Sequence, residues 1–313
     1  MKYIFTKLLM SVGVLIVISI LVFATFQILP GDPVNVILGT NSTPERVEQL
    51  TKQLSLDKPL YERYLLLIQG IFRGDLGVSI KYQMPVSQIL SSRLPVTITL
   101  AVMSLIFIVS ISYLMGLIAG KNYDNIVGKC IVGICNFFTA VPSYFLCILM
   151  IIIFSLILKV FQTGSFIAYS DSPLGYFTYF ILPAFSIAIP NSAMLIKFLS
   201  GSIYDQSKQE YIRTARSKGA SEMRVLIHHN VKNALIPAVT MLGMIIADIL
   251  CGSIVVEQIF NIPGIGRLLI TSIGARDFPM LQILSMFIAA VVVIINFTVD
   301  IIFKLIDPRV RIE

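Results

Sequence analysis

Six long apolar runs govern what this chain can fold into. Uncharged stretches separate Lys7 from Asp32, Arg93 from Lys121, Lys129 from Lys159, Asp171 from Lys197 and Asp277 from Asp300, and a sixth, from Lys232 to Glu257, is interrupted only by Asp248. A helix crosses the hydrocarbon layer of a membrane with about 20 residues, so each run is long enough to be a span. Hydrophobic types make up 56% of the 313 residues and charged types 13%, against roughly one quarter charged in a soluble domain. The expectation is an all-α polytopic membrane protein with about six transmembrane helices.

The first run is longer than the apolar core of a signal peptide, about 7–15 residues, and no small-residue cleavage site follows it, so it counts as a span. The formal charge of +7 could suggest nucleic acid, but the placement of the cations gives a topology instead. With the N-terminus inside, Lys2, Lys7, Lys121, Lys129, Lys197, Lys208, Arg213, Arg216, Lys218, Arg224, Lys232, Lys304, Arg309 and Arg311 all fall on one side. The short outer loops keep Lys159, Arg267 and Arg276. This is the positive-inside pattern, and it places both termini in the cytoplasm. Cys130, Cys135, Cys147 and Cys251 lie in apolar runs without CxxC spacing and read as packing residues.

The chain divides into a first transmembrane helix (1–30), an extracytoplasmic helical segment (31–93) and a five-helix core (94–313). Leu29-Pro30-Gly31-Asp32-Pro33 stops the first span. Thr43 and Pro44 open an amphipathic helix carrying Val47, Leu50 and Leu54, and a second runs from about Pro59 with Tyr61, Tyr64, Leu65, Ile68 and Phe72 as its apolar stripe. The plainer reading of this segment is a cap packed on the spans; direct substrate contact is the alternative. Gly116 and Gly120 form a small-xxx-small pattern that lets helices approach closely. Pro142 and Pro190 fall inside apolar runs, where each frees a carbonyl and permits a kink.

Between the fourth and fifth spans, at about 205–237, the charge is too dense for lipid. A first helix is expected from about Gln206 to Lys218, ended by Gly219 in a left-handed cap, and a second from Ser221, whose hydroxyl can cap it. Within the fifth span Asp248 is the costly residue, since a carboxylate in lipid needs a cavity or a partner. Met241, Met244 and Cys251 share its helical face, and the stripe is a candidate translocation path. A buried structural pairing and a metal site are the alternatives, with no firm metal ligand set. Asp300 and Lys304, four residues apart, suit a helical ion pair. His228 and His229 are neighbours pointing about 100° apart on a helix and do not readily share a metal.

One loop carries a family resemblance. Arg213-Thr214-Ala215, three residues, Gly219, and then Asn233-Ala-Leu-Ile-Pro237 resembles the EAA loop of permease subunits in bacterial ATP-binding-cassette importers. Arg and Thr stand in place of Glu and the first Ala, and the distance from the glycine to the Leu-Ile-Pro end is longer. Both departures are similar to the dipeptide, oligopeptide and nickel permeases. Leu29-Pro-Gly-Asp-Pro33, Gly74-Asp-Leu-Gly77 with Ser79, Glu257-Gln-Ile-Phe260, Pro263-Gly-Ile-Gly266, Arg276-Asp277 and Ile306-Asp-Pro-Arg309 extend the resemblance over nearly the whole chain.

That resemblance implies the type I importer permease fold in the bacterial cytoplasmic membrane. It implies a second homologous permease subunit, two cytoplasmic ATP-binding subunits and an extracytoplasmic substrate-binding protein. It makes Glu210, Arg213, Thr214, Ala215, Arg216, Lys218, Gly219 and Ala220 the element that couples to the ATPase, and Glu257, Pro263, Gly264 and Gly266 an outer gate. ATP and Mg would sit on the partners. The only Gly-Lys pairs, Gly120-Lys121 and Gly128-Lys129, are followed by Asn and Cys and cannot close a phosphate-binding P-loop. The chain would therefore be a transporter subunit without catalytic residues or a cofactor of its own. Its cargo would be peptides or nickel, an acid near position 248 resembling the nickel branch more. The rival is an ion-coupled secondary carrier, although no internal repeat of the kind such carriers show is evident. A membrane enzyme would need a converging nucleophile and base, which are lacking.

Overall fold

The apolar runs become helices, several of which continue past the charges that bound the runs. A computed structural model describes residues 2–28, 44–45, 48, 51 and 56–306. The Leu29–Pro33 motif, most of the helix expected after Thr43 (Val47, Leu50 and Leu54 included) and the Asp307-Pro308-Arg309 end lie outside the described residues. The elements are α1 (Lys2–Ile28), α2 (Leu60–Arg73), α3 (Val86–Lys121), α4 (Ile126–Ala140), α5 (Ser143–Met150), α6 (Pro173–Ser207), α7 (Glu210–Ser217), α8 (Glu222–Val225), α9 (Lys232–Ile259), α10 (Ile265–Gly274) and α11 (Phe278–Ile306). A π-helical stretch, Ile151–Ile157, prolongs α5, and another, Leu226–Val231, joins α8 to α9.

Five of these helices are long and apolar enough to cross a membrane, and α4 with α5 brings the number to six if that pair is one span. The pair is not merely kinked at Pro142, as the sequence suggested. Its arms, Ile126–Ala140 and Ser143–Ile157, are bent by 99°. Val141 and Pro142 are extended, and the proline has no N–H to continue the ladder. Each arm is about 22 Å long at 1.5 Å per residue, short of the ~30 Å hydrocarbon layer. At Pro190 the result is the opposite: α6 runs on as one helix through both Pro183 and Pro190.

The fold clusters into two units. The first comprises residues 1–96 and 264–294. Its core gathers Val86, Ile89 and Leu90 of α3, Ile265 and Leu268 of α10, and Met280, Ile283 and Leu284 of α11, with Leu67 and Ile71 of α2 packed against it. The packing face of α2 is therefore Tyr64, Leu67, Ile68 and Ile71 at helical spacing. Tyr61, Leu65 and Phe72 of the expected stripe stay exposed. Tyr64 also exchanges a hydrogen bond with Ser19 at 2.8 Å and meets Phe23 edge-on. Gly74, at φ +79, caps α2 in the left-handed region.

The second unit comprises residues 97–263 and 295–313 and is organised on α6, against which α4, α5 and α9 pack. In the most apolar window of α6, 67% of residues are buried, against 6% for α1, so α6 is the interior helix. Gly116 and Gly120 of α3 meet it closely: a Cβ at Gly116 would stand 2.8 Å from Leu199 Cδ2, and one at Gly120 2.8 Å from Ile203 Cβ. The small-xxx-small spacing thus marks a real close approach. Gly243 of α9 does the same against the Val299 side chain.

Candidate functional site

The charged loop folds as a helix, a glycine turn and a second helix, with its first boundary later than expected. The span helix α6 continues through Ser207, and α7 starts at Glu210 rather than near Gln206. Gln209, in extended conformation, separates the two. Ile212 is fully buried and Ala215 half-buried, whereas Glu210, Arg213, Thr214, Arg216 and Lys218 are exposed. A single buried apolar side chain therefore anchors a short polar helix within its own unit.

Gly219 has φ +80, the left-handed region in which a Cβ is strained. Its N–H donates to Arg216 O at 2.9 Å, and Ala220 N–H donates to Ala215 O at 3.2 Å, so the turn closes the carbonyl end of α7. Across it Arg216 reaches Glu222 through two bonds, Nε to Oε1 at 2.9 Å and Nη2 to Oε2 at 3.1 Å. Arg213 pairs with Glu210 at 3.3 Å on the exposed face. Ser221 occupies the N-cap position of α8, but its hydroxyl makes no cap bond.

Beneath the loop, Tyr211 donates to Gln206 Oε1 at 2.7 Å and accepts from Asn233 Nδ2 at 2.8 Å, tying α7 to the start of α9. Tyr204 stacks on Tyr123 with centroids 4.3 Å apart and donates to Asp124 at 2.9 Å. Lys208 lies 3.9 Å over the Tyr204 ring, whose hydroxyl, chiefly, raises the lysine pKa.

Asp248 lies on an outward face of α9 with Met244 and Cys251, all exposed, and with Met241 half-buried one turn further back. A cavity of about 290 Å³ opens at Asp248, and its other walls are Thr139, Ser143, Ile187, Pro190, Asn191, Met194 and Gly252. The cavity thus sets Asp248 against the broken α4–α5 pair and the proline region of α6, while Met241, Met244 and Cys251 of its own stripe are not among the walls. Non-helical backbone at membrane depth is tolerated where it lines a cavity. Thr139 and Ser143 flank that break, and the hydroxyls around Pro142 were the sequence signal for it.

At the outer end of α9, Glu257 is fully buried and accepts a 2.7 Å hydrogen bond from Thr97. The turn that follows is held by Ile262 N–H to Glu257 O at 2.8 Å and by the Tyr179 hydroxyl on Phe260 O. Pro263 closes this unit. Gly264 and Gly266, both buried, begin α10 in the other unit. Two motifs quoted separately in the sequence, Ser79 and Asp277, meet there. Asp277 is fully buried and accepts from the Ser79 hydroxyl and from the backbone N–H groups of Ile80 at 3.1 Å, Lys81 at 3.3 Å and Met280 at 3.3 Å.

Residues 1–101 match the family described as "Binding-prot-dependent transport system membrane comp, N-term". Residues 112–312 match "Binding-protein-dependent transport system inner membrane component". A putative peptide transport system permease protein of Brucella abortus is 38% identical over 303 residues, covering 97% of this chain and 96% of its own. A glutathione transport system permease protein of Escherichia coli is 33% identical over 311 residues, covering 99% of each chain. In fold the chain is similar to a solved amino acid ABC transporter chain, with a TM-score of 0.50 and 18% identity, over 72% of this chain and 95% of that one.

Proposed function

The chain belongs to the binding-protein-dependent transport system inner membrane component family, and on that footing we propose that it lines the translocation path of an importer for small peptides. It is a multi-pass subunit of the cytoplasmic membrane and a permease of the ATP-binding-cassette class, not an enzyme. The reading of a secondary carrier acting alone finds no support in these likenesses. Peptide cargo is favoured over nickel because the relatives named above are peptide and glutathione permeases.

The observation that carries the proposal is the cavity at Asp248, where four polar side chains meet apolar walls. Its carboxylate can meet a peptide ammonium group, while Thr139, Ser143 and Asn191 offer hydrogen bonds to amides. Such groups are costly in lipid and useful on a path. On the cytoplasmic side, α7 would sit in a groove of an ATP-binding subunit, with Arg213 and Lys218 facing acidic groups there. Arg216 is engaged by Glu222 and would stiffen the lever instead. ATP and Mg belong to two such subunits, and a second permease and an extracytoplasmic binding protein complete the assembly.

Reconstitution of the whole importer in vesicles tests this. Uptake of a labelled tripeptide should require ATP and all partners, and Gly219→Val should abolish it while the chain still inserts and assembles. Peptide uptake by this chain alone, without ATP, would overturn the proposal.

A further inference from the structure

Within the first unit, Lys81, Arg93 and Arg267 converge on one cavity of about 260 Å³, closed by Tyr82, Gly264, Leu268 and Thr271. Among the described residues no carboxylate lines it. Arg93 and Arg267 also hold contacts within the fold, so the cavity offers concentrated positive charge more than unmet donors. Lys81 is exposed at its edge. Its place is fixed, because its own N–H and that of Ile80 are held by the buried Asp277.

A space of this kind suits a phosphate-type anion, and its level in the membrane selects the source. In α3 the uncharged run from Arg93 to Lys121 is about 42 Å long at 1.5 Å per residue. A bilayer is about 40–45 Å thick with its headgroup regions, and a tilt of about 20° shortens the run only to about 39 Å. With Lys121 at the inner headgroups, Arg93 stands among the outer ones. We propose that the Lys81, Arg93 and Arg267 cavity holds the phosphate of an anionic phospholipid of the outer leaflet.

The full-length chain, purified in detergent and offered equal amounts of phosphatidylglycerol and phosphatidylcholine with the same acyl chains, tests this by native mass spectrometry. Phosphatidylglycerol should be retained in preference. One cation near a membrane surface is worth about a fivefold change in lipid binding, so Lys81→Gln should weaken retention about fivefold and Lys81→Glu about 25-fold. Lys81→Arg should retain it, and phosphatidylcholine should be indifferent to all three. The exposed position of Lys81 spares the fold, which an unchanged melting temperature checks. Equal retention of the two lipids, or retention unmoved by Lys81→Glu, would overturn the proposal. So would complete displacement of the lipid by excess inorganic phosphate, since the site would then belong to a soluble anion.

Discussion

Asp277 shows how one carboxylate can hold together segments nearly two hundred positions apart. It gathers the Ser79 hydroxyl and three backbone N–H groups with no exposure to solvent. Asp277→Ala would leave those donors buried without an acceptor, at a cost of about 3 kcal/mol or more. Thermal unfolding of the full chain should show that loss, and Ser79→Ala should show a smaller one. Asp248 contrasts with it, being exposed on the cavity wall. Asp248→Asn should leave the stability within about 0.5 kcal/mol of the parent while lowering peptide uptake by the reconstituted importer, and unchanged uptake would remove it from the path. The sequence identified Asp248 as a costly residue and the helical face it shares with Met244 and Cys251, but not the cavity walls that other helices supply. Helical spacing reports only a residue's own helix, whereas Thr139, Asn191 and Met194 come from two others.

Among the elements, the loop was the most legible. Gly219 predicted a left-handed turn and the turn has φ +80, because only one residue type sits there without strain. The start of α7 was misplaced, since nothing in the polar run Gln206–Gln209 signals that α6 persists past the membrane. The Arg216–Glu222 bond was also hidden, because a turn must be built before its flanks can meet. Both partners are largely exposed, so Arg216→Ala should cost less than about 1 kcal/mol of stability. It should nevertheless lower ATP-driven uptake by loosening the lever, and the ratio of uptake to ATP hydrolysis is the measurement. The contact of α3 with α6 allows a cleaner stability test. Gly120→Leu places a side chain where Ile203 already sits and should cost about 1–3 kcal/mol, visible as a lower melting temperature.

For the whole molecule, composition and run length gave the membrane class and the number of spans, because hydrocarbon thickness sets one ruler for every helix. That ruler could not show that one span is broken by 99°, since hydropathy is blind to direction. It was equally blind to the π-helical stretch Leu226–Val231, which lies between the cytoplasmic loop and Asp248. A π turn carries about one residue more than the α-helix around it, and one residue is about 100° of rotation. The helix from Glu222 to Ile259 thus contains a phase slip. The side of it that faces the loop and the side that bears Asp248 are offset by that slip, so a single-residue deletion within 226–231 would turn the carboxylate out of its cavity while leaving the apolar run from Lys232 to Glu257 intact.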